Sequence, residues 1–493
     1  MLCAHSRLCA HPSRRRWGAR TLAAILLACA PALAPAQPAP ARVLSEAPAR
    51  AELPAYEAVA ARTLVRDDAG EPWAWIHSYA YLAPDAAADR PVTFFFNGGP
   101  GASTALLHLS VGGPVRADLG ADGSLEPNPF TLLDRTDLVY VDPVGTGFSH
   151  AAGAYKDADL WGATPDARAS AAFVREYLEH LGRPDAPVFL CGESYGAMRA
   201  AFMLEPLQTE QPRVDVRGLV FISPALTTES FVPMQSGVNT LADRLPTYAA
   251  IAYDAGLIEP RGRTLQEVCD EAYEFAQGDY RRAISDIKSV EPERMDRIAD
   301  YLHALTGIGT EPLKLSRFSI LPMHMSVARQ DPMGRRLDPH DGRRSIPMTQ
   351  LMGGVELEVV LEALGDQLRR TWRVDASEYT LFNPRANQAW KRSDGTSHIF
   401  TESIELAPII NAARERNPEL RLFIATGFFD VVTPFGVPRR LLEQGQLDPA
   451  STTLREYVGG HMVYVDRPEF ERLHADLHAF YESLVPVPAR TGP

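Results

Sequence analysis

The five residues Gly192-Glu193-Ser194-Tyr195-Gly196 place a serine in a pattern that could support nucleophilic chemistry. An apolar run at 188–191 precedes this pattern, and an Ala- and Met-rich stretch at 197–204 follows it. The order predicts a strand, a sharp turn and a helix, with Ser194 raised above the end of a parallel sheet by a strained turn. Taken alone, the pattern is also compatible with an ordinary glycine turn capped by a serine. Its surroundings must decide between the two readings.

A serine hydroxyl needs a base to take its proton, and the base needs an acid to orient it. For a serine on a strand–helix turn, the expected chain order is Ser, then Asp or Glu, then His. Asp430 comes shortly after an apolar run at 420–425, and His461 comes shortly after another at 453–458. We therefore predict that Asp430 is the acid and that His461 is the base.

Each of these two residues has a simpler interpretation, and a rival acid lies nearby. Asp430 could be a solvated turn aspartate, and His461 could be a loop histidine beside a glycine turn. Asp466 is a weaker candidate for the acid, because its place directly before Arg467-Pro468 is typical of the start of a helix.

Acyl transfer also needs two N–H groups that bind the oxyanion of the tetrahedral intermediate. The amide of Tyr195, directly after the serine, is one predicted donor. The loop 97–101, Asn-Gly-Gly-Pro-Gly, follows an apolar run and is the predicted source of the other. Pro100 has no N–H, so we assign this role to Gly99.

The elements that must position these residues alternate between strand and helix. After an opening antiparallel hairpin at about 63–81, the predicted strands are 91–96, 138–141, 188–191, 218–223, 420–425 and 453–458. Helices are predicted at about 166–181, 403–416 and 468–484. This alternation predicts an α/β fold with a mainly parallel sheet, whose functional loops gather at the carboxyl ends of the strands.

The alternation is interrupted between about 226 and 400, where helical stretches such as 265–275 and 292–305 dominate. We interpret residues 226–400 as a largely helical cap inserted into a core formed by 55–225 and 401–485. Residues 37–54 are rich in Ala and Pro, which is typical of a linker.

Residues 315–318 and 334–338 resemble the bacterial branch of the serine carboxypeptidases, and five further segments resemble the carboxypeptidase Y-like group of that family. These five segments are FFFNGGPGAS (94–103), VDPVGTGFS (141–149), GESYG (192–196), GFFDVVTPF (427–435) and GGHMVYVDRP (459–468). The resemblance extends over residues 55–485 and implies an α/β-hydrolase fold with a helical cap.

The resemblance also implies two residues that bind the substrate, Asn97 and Glu193. In the family, the corresponding Asn and Glu grip the terminal carboxylate of a peptide. A carboxyl group can donate a hydrogen bond to a carboxylate only when it is protonated, so activity is expected to fade as Glu193 ionises. This chain departs from the family at Val111, where many members carry a second Glu that supports the first.

The N-terminal 36 residues have the features of an export signal. Arg14, Arg15, Arg16 and Arg20 precede an apolar run at 21–33 and the small-residue site Ala34-Pro35-Ala36. We predict cleavage after Ala36 and a periplasmic or secreted protein, through either the general or the twin-arginine route. A lipid anchor on Cys29 is a lesser alternative. No later segment is apolar enough to cross a membrane.

The composition narrows the function classes further. The net charge is −13, and residues 1–36 contain five arginines and no acids, so the predicted mature chain is still more acidic. Such a balance argues against nucleic-acid binding. Only Cys191 and Cys269 lie beyond the signal, and a disulfide framework is not expected.

We expect neither a metal nor an organic cofactor. His474 and His478, four residues apart on the last predicted helix, could share a metal, but without further ligands we expect two surface histidines.

The resulting hypothesis is a serine carboxypeptidase that acts through an acyl-enzyme on peptides with a free C-terminus. One rival is an esterase or acyltransferase that uses the same three residues. The other is a catalytically silent binding protein on the same fold. The oligomeric state and the preferred side chains stay open.

Overall fold

The apolar runs form strands in the computed structural model, which describes residues 53–229, 237–348, 350, 355–392, 395–401 and 403–485. In chain order the strands are β1 (Glu57–Arg66), β2 (Pro72–Leu82), β3 (Val92–Phe96), β4 (Val115–Ala117), β5 (Leu125–Pro127), β6 (Asp137–Val141), β7 (His150–Ala151), β8 (Val188–Glu193), β9 (Val216–Ile222), β10 (Arg335–Leu337), β11 (Ser345–Pro347), β12 (Arg421–Gly427) and β13 (Thr452–Tyr457).

The α-helices lie between and after these strands. They are α1 (Ala105–Ser110), α2 (Ala163–His180), α3 (Tyr195–Thr209), α4 (Val238–Asp254), α5 (Leu265–Phe275), α6 (Arg281–Ser285), α7 (Pro292–Thr306), α8 (Thr310–Leu315), α9 (Pro322–Ala328), α10 (Leu357–Trp372), α11 (Pro384–Ala389), α12 (Ala407–Arg416), α13 (Gly436–Glu443) and α14 (Arg467–Leu484).

The central sheet has the strand order β1-β2-β6-β3-β8-β9-β12-β13, and β7 pairs with β2. The pairs from β6 to β13 are parallel, whereas β1 and β2 form the predicted antiparallel hairpin. Because parallel strands end at the same edge of a sheet, the segments that follow β3, β8, β9, β12 and β13 can meet there. The predicted site residues lie in the segments after β3, β8, β12 and β13, except for Glu193, which is the last residue of β8.

Alternate side chains of each buried strand enter two separate apolar clusters, as the pleat requires. In β3, Phe94 and Phe96 pack into one cluster and Phe95 into the other. The first cluster is completed by residues of α2, α3, α12 and α13, and the second by residues of α1, α10 and α14. The sheet is therefore covered on both faces by helices.

A third apolar cluster is formed by residues of helices α4 to α9. It also contains Phe428, Phe429, Val431 and Phe435, the apolar neighbours of Asp430. By contrast, α10 and Trp390 pack into the two clusters of the sheet. The assignment of 226–400 to a cap stays a prediction, and these contacts distinguish α4–α9 from the rest of that interval.

Several predictions concern residues outside those that the structure describes. The signal peptide at 1–36, Cys29 and the linker up to residue 52 all fall there. Among the described helices, none combines the length and the apolar composition needed to span a bilayer. Cys191 and Cys269 are buried free thiols that lie in different apolar clusters.

The expectation of two surface histidines was wrong for His474, which is completely buried. Its Nδ1 bonds the carbonyl of Phe470 at 2.8 Å, and its Nε2 accepts from the N–H of Gly112 at 3.2 Å. Both ring nitrogens are thus used: Nδ1 bonds within α14, and Nε2 joins α14 to the turn after α1. Burial lowers the pKa of His474 to about 4, which keeps the imidazole neutral.

Candidate active site

Ser194 occupies the turn between β8 and α3 with a backbone conformation that few non-glycine residues adopt. Its φ is 57° and its ψ is −121°. The N–H of Ser194 donates to the carbonyl of Ile222 at 3.0 Å, which ties the turn to the end of β9. Ser194 is partly exposed between Glu193 and Tyr195, which are both buried. The predicted order of strand, strained turn and helix is confirmed, and the role of Ser194 stays a prediction.

Two glycines allow the backbone to close tightly around this turn. A Cβ atom on Gly196 would lie 2.1 Å from the carbonyl oxygen of Phe96, at the end of β3. A Cβ atom on Gly98 would lie 2.6 Å from the amide nitrogen of Tyr195. The loop 97–101 therefore packs directly against the first turn of α3.

This packing brings the loop that contains Gly99 against Tyr195 through the adjacent Gly98. Tyr195 is the first residue of α3, so its N–H has no intrahelical acceptor. Gly99 is exposed within the loop. The two predicted oxyanion donors thus lie on adjoining pieces of backbone.

Asp430 is fully buried in the turn after β12, and four donors surround its carboxylate. Its Oδ1 accepts from the main-chain N–H groups of Val432 and Thr433, each at 2.9 Å. Its Oδ2 accepts from the hydroxyl of Thr433 and from Nδ1 of His461 at 2.7 Å. Burial alone would raise the pKa of Asp430, but His461 and the Thr433 donors outweigh it and lower the pKa.

His461 lies in the turn after β13, with Nδ1 directed at Asp430. Its main-chain N–H donates to the carbonyl of His340 at 2.6 Å, which fixes the backbone of the turn. Burial alone would lower the pKa of His461. The charge of Asp430, the hydrogen bond to it and the charge of Glu193 raise the pKa instead.

Ser223 connects the turn that carries Asp430 to the turn that carries His461. Its hydroxyl donates to the carbonyl of His461 at 2.5 Å, and its own carbonyl oxygen lies 3.0 Å from the hydroxyl oxygen of Thr433, whose proton is directed at Asp430. Ser223 directly follows β9 and has a φ of 43°. One residue at the end of β9 thus contacts both segments.

Asn97 and Glu193, which the family resemblance singled out, are in direct contact. Nδ2 of Asn97 donates to Oε1 of Glu193 at 3.1 Å, while Oδ1 of Asn97 accepts from the N–H of Leu107. The hydroxyl of Tyr464 donates to Oε2 of Glu193 at 2.5 Å. Burial raises the pKa of Glu193, and these two donors and His461 oppose the shift without cancelling it.

A buried ion pair supports the same region from behind. Nε of Arg199 lies 2.7 Å from Oδ2 of Asp166, and Nη1 of Arg199 donates to the carbonyl of Asn97 at 2.6 Å. The guanidinium also lies over the ring of Tyr195. Arg199 therefore connects α2, α3 and the loop after β3.

The rival acid, Asp466, lies elsewhere and has another partner. It occupies the position before α14, but its side chain makes no capping hydrogen bond. Instead, Oδ2 of Asp466 lies 2.6 Å from Nη2 of Arg343. Asp430, and not Asp466, contacts the imidazole of His461.

Thr433, Ser223, Tyr464 and Arg199 were not predicted from the sequence. Thr433 had a readable signal, because a threonine three residues after a turn aspartate is well placed to donate to it. The other three depend on contacts between distant parts of the chain.

The chain is similar in sequence to proteins of one known family. The serine carboxypeptidase family model matches residues 74–320. The carboxypeptidase Y homolog of Arthroderma benhamiae is 29% identical over 143 residues, or 28% of this chain and 27% of that protein. The pheromone-processing carboxypeptidase kex1 of Aspergillus oryzae is 28% identical over 220 residues, or 42% of this chain and 32% of that protein. The chain thus spans about a third or less of the length of these curated relatives.

A solved structure extends the likeness of the fold over most of the chain. The prohormone-processing carboxypeptidase Kex1 of Saccharomyces cerevisiae superposes with a TM-score of 0.56 at 16% identity, covering 89% of this chain and 94% of that one. At this identity the likeness concerns the fold alone. The mostly parallel sheet with its serine turn is the α/β-hydrolase fold, as predicted. The family match over half of the sequence shows that the chain belongs to the serine carboxypeptidase family.

Proposed function

We propose that this protein is a serine carboxypeptidase that removes C-terminal residues from peptides. The observation that carries the proposal is the position of Glu193. This buried carboxyl directly precedes the strained Ser194 and is hydrogen-bonded to Asn97. An ordinary esterase has no need for a buried, titratable group at that place. A peptide with a free C-terminus offers a carboxylate for it to bind.

In the proposed reaction, Ser194 attacks the carbonyl carbon of the last peptide bond. His461 takes the hydroxyl proton through Nε2, because its Nδ1 faces Asp430. The N–H groups of Gly99 and Tyr195 bind the oxyanion. His461 then passes the proton to the leaving amino group, and the peptide stays bound to Ser194 as an ester.

The second half of the reaction releases the acyl group. Water enters the position of the departed amino acid and loses a proton to His461 as it attacks the ester carbonyl. The proton returns to Ser194 when the ester bond breaks, so the free enzyme is restored. Throughout, Asp430 keeps the imidazole oriented and stabilises its cation.

Asn97 and Glu193 together form the proposed clamp for the substrate carboxylate. The Asn97 amide is oriented by Leu107, so its nitrogen faces Glu193. Glu193 donates to the substrate only when it carries a proton, and the raised pKa of Glu193 favours that form.

A substrate scan separates this function from the esterase alternative. Blocked dipeptides with a free C-terminus are compared with the same dipeptides as C-terminal amides and with simple esters. We expect cleavage of the free acids and a large loss for the amides. Turnover of esters alone, with no cleavage of the free acids, would defeat the proposal.

A fluorophosphonate probe tests the alternative that this protein is a catalytically silent binding protein. The folded protein is expected to be labelled at Ser194, and Ser194→Ala is expected to abolish the label. Folded wild-type protein that stays unlabelled would show that the serine is not activated.

We also propose that the protein is exported, on the basis of the basic and apolar pattern of residues 1–36. N-terminal sequencing of protein recovered from the cell envelope or medium is expected to begin at Gln37. A mature protein that begins at a lipidated Cys29 would point to the anchored form.

A further inference from the structure

The phenol of Tyr464 makes a contact with Glu193 that the carboxylate clamp alone does not require. Tyr464 lies three residues after His461 and is buried, with 2% of its surface exposed. Its hydroxyl donates to Oε2 of Glu193 at 2.5 Å. His461, the proposed base, and Glu193, a member of the proposed clamp, are thereby linked through the short segment 461–464.

With this contact, both oxygens of Glu193 have a donor, because Asn97 already donates to Oε1. A carboxylate accepts two such bonds readily, whereas a protonated carboxyl must direct its own proton to an acceptor. The donors therefore favour ionised Glu193 when the clamp is empty. A bound substrate carboxylate favours the protonated form, because two like charges cannot lie side by side.

Among the described residues, the titratable groups coupled to Glu193 lie on its own strand and on the turns that carry Asp430, His461 and Tyr464. His461 favours the ionised form of Glu193, and Asp430 opposes it. The Cys191 thiol, two residues earlier on β8, is buried, and burial raises its pKa so that it stays neutral. The charge state of Glu193 is thus set by burial, His461, Asp430 and the donors Tyr464 and Asn97.

Many members of the family carry a second Glu that supports the first, but this chain has Val111 at that position. Val111 is a buried apolar side chain, whose carbonyl accepts from the hydroxyl of Tyr140 at 2.7 Å. A carboxyl partner would itself lose its proton in the acid range. A buried phenol does not, because burial raises the pKa of Tyr464 well above its ordinary value. Tyr464 therefore donates at every pH at which the protein works.

We propose that Tyr464 is the positioning partner of Glu193, holding its carboxyl in place and setting the pH above which the clamp releases a substrate carboxylate. This inference rests on the proposed carboxypeptidase function and adds a residue to it. Tyr464 does not touch the reacting atoms, so it acts on substrate binding through Glu193.

The test is the pH dependence of KM and kcat for a blocked dipeptide in Tyr464→Phe. Loss of a donor to the ionised carboxylate raises the pKa of Glu193. The pH at which KM begins to rise is then expected to move upward by about one to two units, the effect of one hydrogen bond to a charged group. We expect kcat at the optimum to change by less than about threefold. An unmoved KM profile in folded Tyr464→Phe would overturn the inference.

Tyr140→Phe is the matched control, because it removes the hydroxyl of another buried tyrosine that donates to a carbonyl and not to Glu193. It is expected to leave the KM profile in place. An equal shift in Tyr140→Phe would mean that general loosening moves the profile, and the role assigned to Tyr464 would fall.

Replacement of Tyr464 by 3,5-difluorotyrosine covers the case in which Tyr464→Phe does not fold. The fluorinated phenol is a stronger donor of nearly the same shape, so the KM profile is expected to move toward lower pH. A profile that stays in place with this residue would contradict the inference.

Glu193→Gln distinguishes the two levels of the proposal. If Glu193→Gln flattens the KM profile while both Tyr464 replacements leave it unchanged, the clamp stands and the role of Tyr464 is wrong. If Glu193→Gln leaves the wild-type profile unchanged, the clamp itself is wrong, and the inference fails with it.

Discussion

Thr433 and His461 donate to the same oxygen of Asp430. The hydroxyl of Thr433 and Nδ1 of His461 both reach Oδ2, and the two donors lie 3.2 Å apart. Thr433 thus limits where the carboxylate can lie and shares in stabilising its charge. A residue three positions after the acid helps to set the direction of the imidazole.

The first prediction concerns this hydroxyl. Thr433→Val keeps the shape of the side chain and removes its donor to Asp430. We expect kcat to fall by about tenfold, because a hydrogen bond to a charged group is lost and the carboxylate is held less firmly. KM should change little, and steady-state kinetics on a blocked dipeptide provides the measurement.

Thr426→Val is the matched control for Thr433→Val. Thr426 is a buried threonine of β12, and its hydroxyl has no hydrogen-bond partner among the described residues. Removing it should leave kcat unchanged. A similar loss in both variants would show that packing, and not the bond to Asp430, explains the effect.

The second prediction concerns pH. Because the pKa of His461 is raised, its imidazole loses a proton at a higher pH than an ordinary histidine does. We expect kcat to rise only there. Because the pKa of Glu193 is raised, its carboxyl keeps a proton above the usual range of a glutamate. Binding of the substrate carboxylate should weaken once the pH rises through the pKa of Glu193. Peptide cleavage should therefore show a pH profile with an acid limb, where His461 gains a proton, and an alkaline limb, where Glu193 loses one. In Glu193→Gln the alkaline limb should disappear, because a glutamine amide donates at every pH.

An ester substrate without a carboxylate separates the two limbs. Its hydrolysis by the wild-type protein should depend on His461 alone and should lack the alkaline fall. If ester and peptide profiles fall together above the optimum, Glu193 is not the group that titrates there.

The third prediction concerns the packing of the loop 97–101 on the serine turn. In Gly98→Ala the new Cβ would meet the backbone of Tyr195 and Glu193 at less than 3 Å. The loop must shift, and kcat/KM is expected to fall by about a hundredfold, as small misplacements of catalytic groups do. The measurement is kcat/KM on a free-acid dipeptide, with circular dichroism as the check on folding.

Gly365→Ala is the control for the added methyl group. Gly365 lies inside α10, and a Cβ there would make an ordinary contact with Ala376 at 3.5 Å. We expect this variant to be stabilised by about 0.5–1 kcal/mol with unchanged activity, because alanine favours a helix over glycine. Loss of activity in Gly365→Ala would show that kcat/KM responds to changes far from the site.

The fourth prediction concerns the ion pair behind Asn97. Arg199→Met leaves the carboxylate of Asp166 buried without its cation, at a cost of about 3–5 kcal/mol. We expect a marked fall in the thermal midpoint and a higher KM, because the carbonyl of Asn97 also loses its donor. The double variant Arg199→Met with Asp166→Leu should recover much of the midpoint. A single variant as stable as the wild type would show that the pair is not important for folding.

The fold was largely predictable because short apolar runs ending in glycine-rich loops are a local signal. The predicted helix at 265–275 coincides with α5, whose start is marked by Thr264 and Glu267 bonding each other's backbone. His474 shows where this reasoning fails. Its spacing placed it on a helix, but which face of α14 is covered depends on the turn after α1, far away in the sequence.

The same limit applies to the site. Asp430 and His461 follow neighbouring parallel strands, so their contact follows from the topology of the sheet, and Ser194 follows β8 at the same edge. Tyr464 stands 271 positions from Glu193, and nothing in its neighbourhood in the sequence marks a phenol that faces a carboxyl group. Contacts of this kind depend on side-chain directions, which strand and helix patterns do not specify.

The turn that carries Asp430 lies between the sheet and the third apolar cluster, which belongs to helices α4–α9. This position has a consequence for how such proteins diversify. Phe428, Phe429, Val431 and Phe435 are members of that cluster, so repacking these helices also displaces the residues that flank Asp430. Exchanging the helical region between relatives as an independent module should therefore fail unless residues 428–435 are exchanged with it.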